Sequence, residues 1–237
     1  AVYNISDNTL FQLADKEIPH LITADEGNAT TALLSTNQPY ATEQMWEGRS
    51  RYDIYTVNLQ TGERRQIKKA SNSNMQLSPK GTYAYWYCVQ DSSWYTYSLA
   101  NGKEYRLTTP TTFAAWDEDN DVPDYPSPHG LAGWTADDRN LLIYDRYDIW
   151  KFDPTAEVAP VNLTVNGRKE QLSYRLIRLD KEEKFIDITK SQLLQVFNEK
   201  TKGSGYYSAH LSAPKAPKAL LTGNFMLKTP VKAKYSD

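Results

Sequence analysis

The chain has 237 residues, and its 27 Lys and Arg against 29 Asp and Glu leave a net charge of −2, with no basic footprint for nucleic acid. Its one cysteine, Cys88, excludes an internal disulfide framework and a cysteine-built zinc site. No apolar run approaches the roughly 18 residues of a membrane span, no basic-then-apolar leader opens the chain, and a first residue of Ala1 rather than Met reads as a processed or excised piece.

Along the chain, short apolar runs alternate with turn residues. Leu10-Phe11-Gln12-Leu13 is followed by Leu21-Ile22-Thr23, and Tyr55-Thr56-Val57-Asn58-Leu59-Gln60-Thr61-Gly62 by Gln66-Ile67. Leu77-Ser78-Pro79-Lys80-Gly81 then leads into Tyr83–Cys88. There Tyr83, Tyr85 and Tyr87 share one face and Ala84, Trp86 and Cys88 the other, the period of two that marks a strand. Tyr95-Thr96-Tyr97-Ser98-Leu99-Ala100-Asn101-Gly102 repeats the Tyr55 stretch and is followed by Arg106-Leu107-Thr108. Trp134-Thr135-Ala136-Asp137-Asp138 leads into Leu141–Tyr144, Ile149–Pro154 is a third copy, and Asn162-Leu163-Thr164 follows it. Leu179–Glu183 leads into a strand expected at Phe185-Ile186. The run Ser191–Asn198 fits a helix or a buried strand about equally well. Tyr207–Leu211 is a fourth copy, with Leu220-Leu221-Thr222 after it.

Taking Tyr55, Tyr95, Trp150 and Tyr207 as equivalent, the spacings are 40, 55 and 57 residues. Four short strands per repeat of this length is the size of a propeller blade, and such sheets bury their faces only by stacking on one another. The fold class expected is all-β, a partial β-propeller of four to five four-stranded blades. Residues 1–237 are read as a single propeller segment of a longer protein, because an open arc would leave unpaired sheet edges. The six tryptophans, Trp46 among them, are expected to fill the wedges between sheets.

Ser78–Tyr85 resembles the turn-strand element of TolB-type propellers, which also occurs in the N-terminal propellers of the prolyl oligopeptidase family of serine peptidases. A longer likeness runs from Trp116 to Asp153: Trp116–Pro123, Gly130–Thr135 and Tyr144–Trp150. It looks like the propeller of large secreted, dipeptidyl peptidase IV-like members from Bacteroidetes, and Phe197–Lys202 is similar to a segment of the same proteins. The resemblance implies a periplasmic or secreted peptidase, with peptide substrates and an α/β-hydrolase domain carrying its Ser-Asp-His triad as partner of the propeller. No catalytic residue is expected in this chain. Ser204, flanked by Lys202 and Tyr206, lacks the Gly-x-Ser-x-Gly elbow, and His20, His129 and His210 are read as surface or packed residues. The alternative is a stand-alone TolB-like propeller that binds a protein or peptide.

The strongest chemical feature is the acidic stretch 117–124, whose carboxylates repel one another unless water or positive charge compensates. Three readings stand. It is a solvated insertion between blades, or a calcium loop on Asp117, Asp119 and Asp121, which have the spacing of an EF-hand start but are followed by Val122 where Gly belongs and reach Pro128 where Glu belongs. The third reading follows from the resemblance: Asp117, Glu118 and Asp119 are candidates to grip the α-ammonium group of a peptide substrate. No other cofactor is expected. Tyr144–Asp148, two acids around Arg146, is read as an internal charge pair fixing a turn.

Overall fold

In a computed structural model, which describes residues 1–6, 8–180 and 182–233, the chain divides into two units, Ala1–Leu107 and the residues from Thr108 onward. The first begins with a two-stranded sheet of β1 (Val2–Asn4) and β2 (Thr9–Phe11). A four-stranded antiparallel sheet follows, in the order β3 (His20–Ile22), β4 (Thr31–Thr36), β5 (Tyr52–Asn58), β6 (Arg64–Ser71). The next sheet runs β7 (Gln76–Leu77), β8 (Tyr83–Cys88), β9 (Ser93–Ser98), β10 (Glu104–Arg106). The second unit holds β11 (Leu131–Trp134), β12 (Leu141–Tyr144), β13 (Ile149–Phe152), β14 (Val161–Asn162), then β15 (Leu172–Leu176), β16 (Ser191–Asn198), β17 (Ser204–His210), β18 (Lys218–Gly223).

In every four-stranded sheet the strands pair in chain order, and the four repeat residues occupy the third strand of each. Tyr55 faces Leu34, Tyr95 faces Trp86, Trp150 faces Ile143 and Tyr207 faces Leu194. The sequence repeat is therefore a repeat of sheet position. Alternation then decides what each strand buries. On β4, Leu33 packs with Ile54, Met75, Ala84 and Trp86, while Ala32 and Leu34 on the other face join Leu13, Val57 and Leu59. Both faces of that sheet are covered, as stacking of blades requires. In the second unit Leu142, Ile149 and Leu163 meet Leu172, Tyr174, Leu194 and Val196 in one core.

One open reading closes and two expectations change. Ser191–Asn198 is a strand, β16, paired on both sides; Leu194 and Val196 point into the core and Phe197 points out, with 42% exposure. Phe185-Ile186 forms no strand: Ile186 makes only an isolated bridge to Thr135, and the second strand of that sheet starts at Ser191. Lys181, within the expected lead-in, lies outside the described residues. Trp46 fills no wedge. It lies on helix α1 (Ala41–Glu47), an insertion between β4 and β5, and is 87% exposed beside Met45; Trp86, Trp94 and Trp134 are buried as expected.

Candidate functional site

The acidic stretch is a loop closed at its neck by backbone. Trp116 bridges to Pro128, Asp117 N–H donates to Ser127 O at 2.8 Å, and His129 N–H donates to Ala115 O at 2.9 Å. Inside the loop, Asp117 Oδ1 accepts from Asp119 N–H at 3.1 Å. The Asn120 side-chain amide donates to Asp124 O at 2.9 Å and Val122 O at 3.2 Å.

Beyond the neck the loop reaches two arginines of the second unit. Arg146, in the β12–β13 turn, meets Asp119 Oδ2 at 2.6 Å and donates to both oxygens of Glu199, at 3.0 and 2.8 Å. Such a forked pair is among the stronger charge-assisted bonds. Arg168, on the short helix α2 (Gly167–Glu170), donates to Glu118 at 3.0 and 3.3 Å and lies 3.5 Å from Asp145. Tyr147 stands between the two, its ring 5.4 Å from the Arg146 guanidinium and 5.2 Å from that of Arg168, within cation–π range. Its hydroxyl donates to Glu199 at 3.0 Å.

Two buried aspartates hold the turn that carries Arg146. Asp145 accepts from Tyr147 N–H at 2.8 Å and Asp148 N–H at 2.5 Å. Asp148, 1% exposed, accepts from the Thr164 hydroxyl at 2.6 Å, Gly167 N–H at 2.9 Å and Arg168 N–H at 3.2 Å, and so anchors α2. A Cβ on Gly167 would lie 2.7 Å from Asp148 Oδ1 and 2.8 Å from Leu172 O, so this position has room only for glycine.

The electrostatics follow from these contacts. The hydrogen bond from Arg146 holds the Asp119 carboxyl below its ordinary range. Burial works to raise Glu199, but bonds from Arg146, Tyr147 and Ser173 outweigh it and the net shift is downward. Burial raises Asp145 against the pull of its backbone N–H donors. Burial, then the charge of Arg175, lowers His129 against Asp117, Asp145 and Glu118; no protein partner meets its buried Nε2.

The structure thus puts two of the expected substrate anchors, Glu118 and Asp119, on guanidinium partners, while Asp117 turns one oxygen to the loop's own backbone. It does not gather Asp117, Asp119 and Asp121 as a calcium loop would: among the described residues no group of three or more His, Cys, Asp or Glu side chains is placed to hold a metal. Arg146 departs from the internal pair expected of it. Asp145 does fix the turn through backbone N–H groups, but the guanidinium points outward to Glu199 and Asp119. Sequence reasoning missed Glu199 and Arg168. Glu199 lay within a stretch already singled out, Phe197–Lys202, whereas Arg168 carried no signal. His20 and His210 are exposed at strand ends, and Ser204 lies in an antiparallel strand, not on a strand-to-helix turn.

No family model matches the chain, and no curated protein matches it. Among solved structures it is similar to Porphyromonas gingivalis dipeptidyl peptidase 4, at 13% identity and a TM-score of 0.51, over 94% of this chain and 36% of that one. It is also similar to a putative TolB from Agrobacterium tumefaciens (13% identity, TM-score 0.45, 83% and 62% covered) and to a prolyl endopeptidase (11%, 0.48, 93% and 30%). The chain spans about a third of the length of the dipeptidyl peptidase. At these identities the first likeness bears on fold alone: the chain is all-β, a partial β-propeller built of consecutive antiparallel blades. No helix among the described residues is long and apolar enough to cross a membrane.

Proposed function

We propose that the chain is the non-catalytic propeller portion of a serine peptidase of the prolyl oligopeptidase type, similar to dipeptidyl peptidase IV. In this reading residues 1–237 are one propeller segment of an exported protein, and an α/β-hydrolase domain of the same protein does the chemistry. One observation carries the proposal. Three of the stretches whose sequence resembles that family, 116–123, 144–150 and 197–202, each supply one member of the Asp119–Arg146–Glu199 cluster. Residues as far apart as 119 and 199 converge on one guanidinium, which a chance resemblance of separate short segments does not require. The likeness in fold to a dipeptidyl peptidase is consistent with it.

The propeller's part is steric and electrostatic. It walls the active site so that extended peptides reach it and folded proteins do not. Asp117, Glu118 and Asp119 present carboxylates that a peptide's α-ammonium group can bind by charge-assisted hydrogen bonds, which sets how many residues reach the nucleophile. Arg146 and Arg168 hold the loop in place before substrate arrives, so the ordering cost does not fall on binding.

The test uses the full-length parent and this chain on a chromogenic dipeptide ending in proline. The parent should cleave it and the chain alone should not. Asp119→Asn in the parent should raise KM for the unblocked substrate about tenfold, the loss of one charge-assisted bond, and leave an N-acylated substrate unaffected. Cleavage by the chain alone, or an unchanged KM, would overturn the proposal. A parent without a Gly-x-Ser-x-Gly elbow beyond Asp237 would favour a stand-alone TolB-like binding module instead.

A further inference from the structure

The acidic loop is joined to its unit in two different ways. At the neck the contact is backbone, through the Trp116–Pro128 bridge and the bonds of Asp117 and His129 N–H. Further out, Glu118 and Asp119 reach Arg168 and Arg146 by side-chain ion pairs that water can enter: the Asp119 side chain is 68% exposed and that of Arg168 51%. Exposed pairs of this kind are individually weak and screened by salt.

Each arginine also has a second, fixed carboxylate. Arg146 keeps both oxygens of Glu199, and Arg168 keeps Asp145. Releasing the loop therefore strands no guanidinium without a partner, and the large penalty of an unpaired charge does not oppose release. Within the loop, the carboxylates of Asp117, Glu118, Asp119, Asp121 and Asp124 push against one another, which favours release further. The other charged groups near the fastening, His129, Arg175 and Asp145, belong to the base and stay with it.

We infer that residues 117–124 form an ion-paired strap hinged at the Trp116–Pro128 bridge, closed on Arg146 and Arg168 as seen here and released by salt. The device goes beyond the peptidase reading and stands or falls without it.

Hydrogen exchange of the loop amides tests it, measured on the whole chain at low and at high sodium chloride. The amides of Asp119 and Asn120 should exchange several-fold faster at high salt, while those of Asp117 and His129 in the neck hold constant as an internal reference. Glu118→Gln leaves the Arg168–Asp145 pair intact and should give fast loop exchange already at low salt, with a reduced salt response; Arg168→Gln should do the same from the other side. Loop exchange indifferent to salt would overturn the strap. So would a Glu118→Gln variant indistinguishable from the parent sequence, or neck amides that speed up together with the loop.

Discussion

The β8–β9 and β12–β13 hairpins hold the same place in their sheets, between the second and third strands, yet their tips are built differently. At the first, Trp86 and Tyr95 stack in parallel at 5.3 Å, and Lys68 Nζ sits 4.5 Å over the Trp86 ring. Its one acid, Asp91, accepts from the Tyr95 hydroxyl at 2.5 Å and lies 3.9 Å from Arg106. At the second, Asp145 and Asp148 are buried and bind the backbone of the turn and of α2, while Arg146 reaches Asp119 and Glu199. Aromatic packing needs no exact partner and tolerates solvent at its edge. Buried carboxylates must have every lone pair answered, so the second tip tolerates far less change than the first.

Removing the acid at each tip should separate them most widely. Asp148→Ala leaves Gly167 N–H, Arg168 N–H and the Thr164 hydroxyl without their acceptor in a buried place, and should cost about 3 kcal/mol. Asp91→Ala takes the acceptor from the Tyr95 hydroxyl and a more distant carboxylate from Arg106, which keeps its bonds to Ser93, and should cost about 1 kcal/mol. Urea denaturation of the two variants, followed by tryptophan fluorescence, measures the gap; equal losses would mean that the two tips do not differ in the way their contacts indicate.

A smaller contrast lies in pH. The second tip has His129 beside it, and burial holds that imidazole below its ordinary value in the folded chain. The neutral ring is favoured by folding, so its contribution is fully present above about pH 6.5. It is lost as pH falls from there through the depressed folded value, because the unfolded chain takes up the proton first. The lowered carboxyls of Asp119 and Glu199 lose their contribution at more acid pH, from the ordinary carboxylate range down through their depressed folded values. Asp145, raised by burial, acts in the opposite sense and gains stability as pH falls through its folded value. The expectation is therefore a difference: between pH 7 and 5 the urea midpoint should fall more steeply, or rise less, in the unsubstituted chain than in His129→Gln. A slope identical in the variant would assign the acid sensitivity to other groups.

Much of the difference between the tips could be read in the sequence, and much could not. The period of two in Tyr83–Cys88 and the recurrence of Tyr55, Tyr95, Trp150 and Tyr207 mark sheet position because side-chain alternation and turn chemistry are local properties. Ser191–Asn198 stayed open because a short apolar run satisfies helix and strand alike, and only its pairing with β15 and β17 decides. Trp46 misled because an insertion does not inherit the packing of the repeat around it. The acidic loop was visible as a run of charge. Its partners were not, since Arg146, Arg168 and Glu199 are distant from it in the sequence and meet it only once the second unit has folded. Charge marks a place where compensation is needed and does not say which residue provides it.

The smallest expected effect lies at the first tip. Lys68 bonds Glu104 at 2.7 Å, with side-chain exposures of 32% and 41%, and spans the Trp86 and Tyr95 rings at 4.5 and 5.8 Å. Two interactions share one ammonium. An exposed pair contributes about 0.5 kcal/mol and is screened by salt, whereas the stem of a lysine lying on an aromatic face remains in place when its acid is removed. Glu104→Gln should therefore shift stability by about 0.5 kcal/mol at low ionic strength and by less at high, with Trp86 fluorescence unchanged. Lys68→Ala removes both interactions and should alter that fluorescence. If Glu104→Gln changed the Trp86 signal as much as Lys68→Ala does, the ion pair rather than the ring contact would be holding Lys68, and the first tip would depend on charge as the second does.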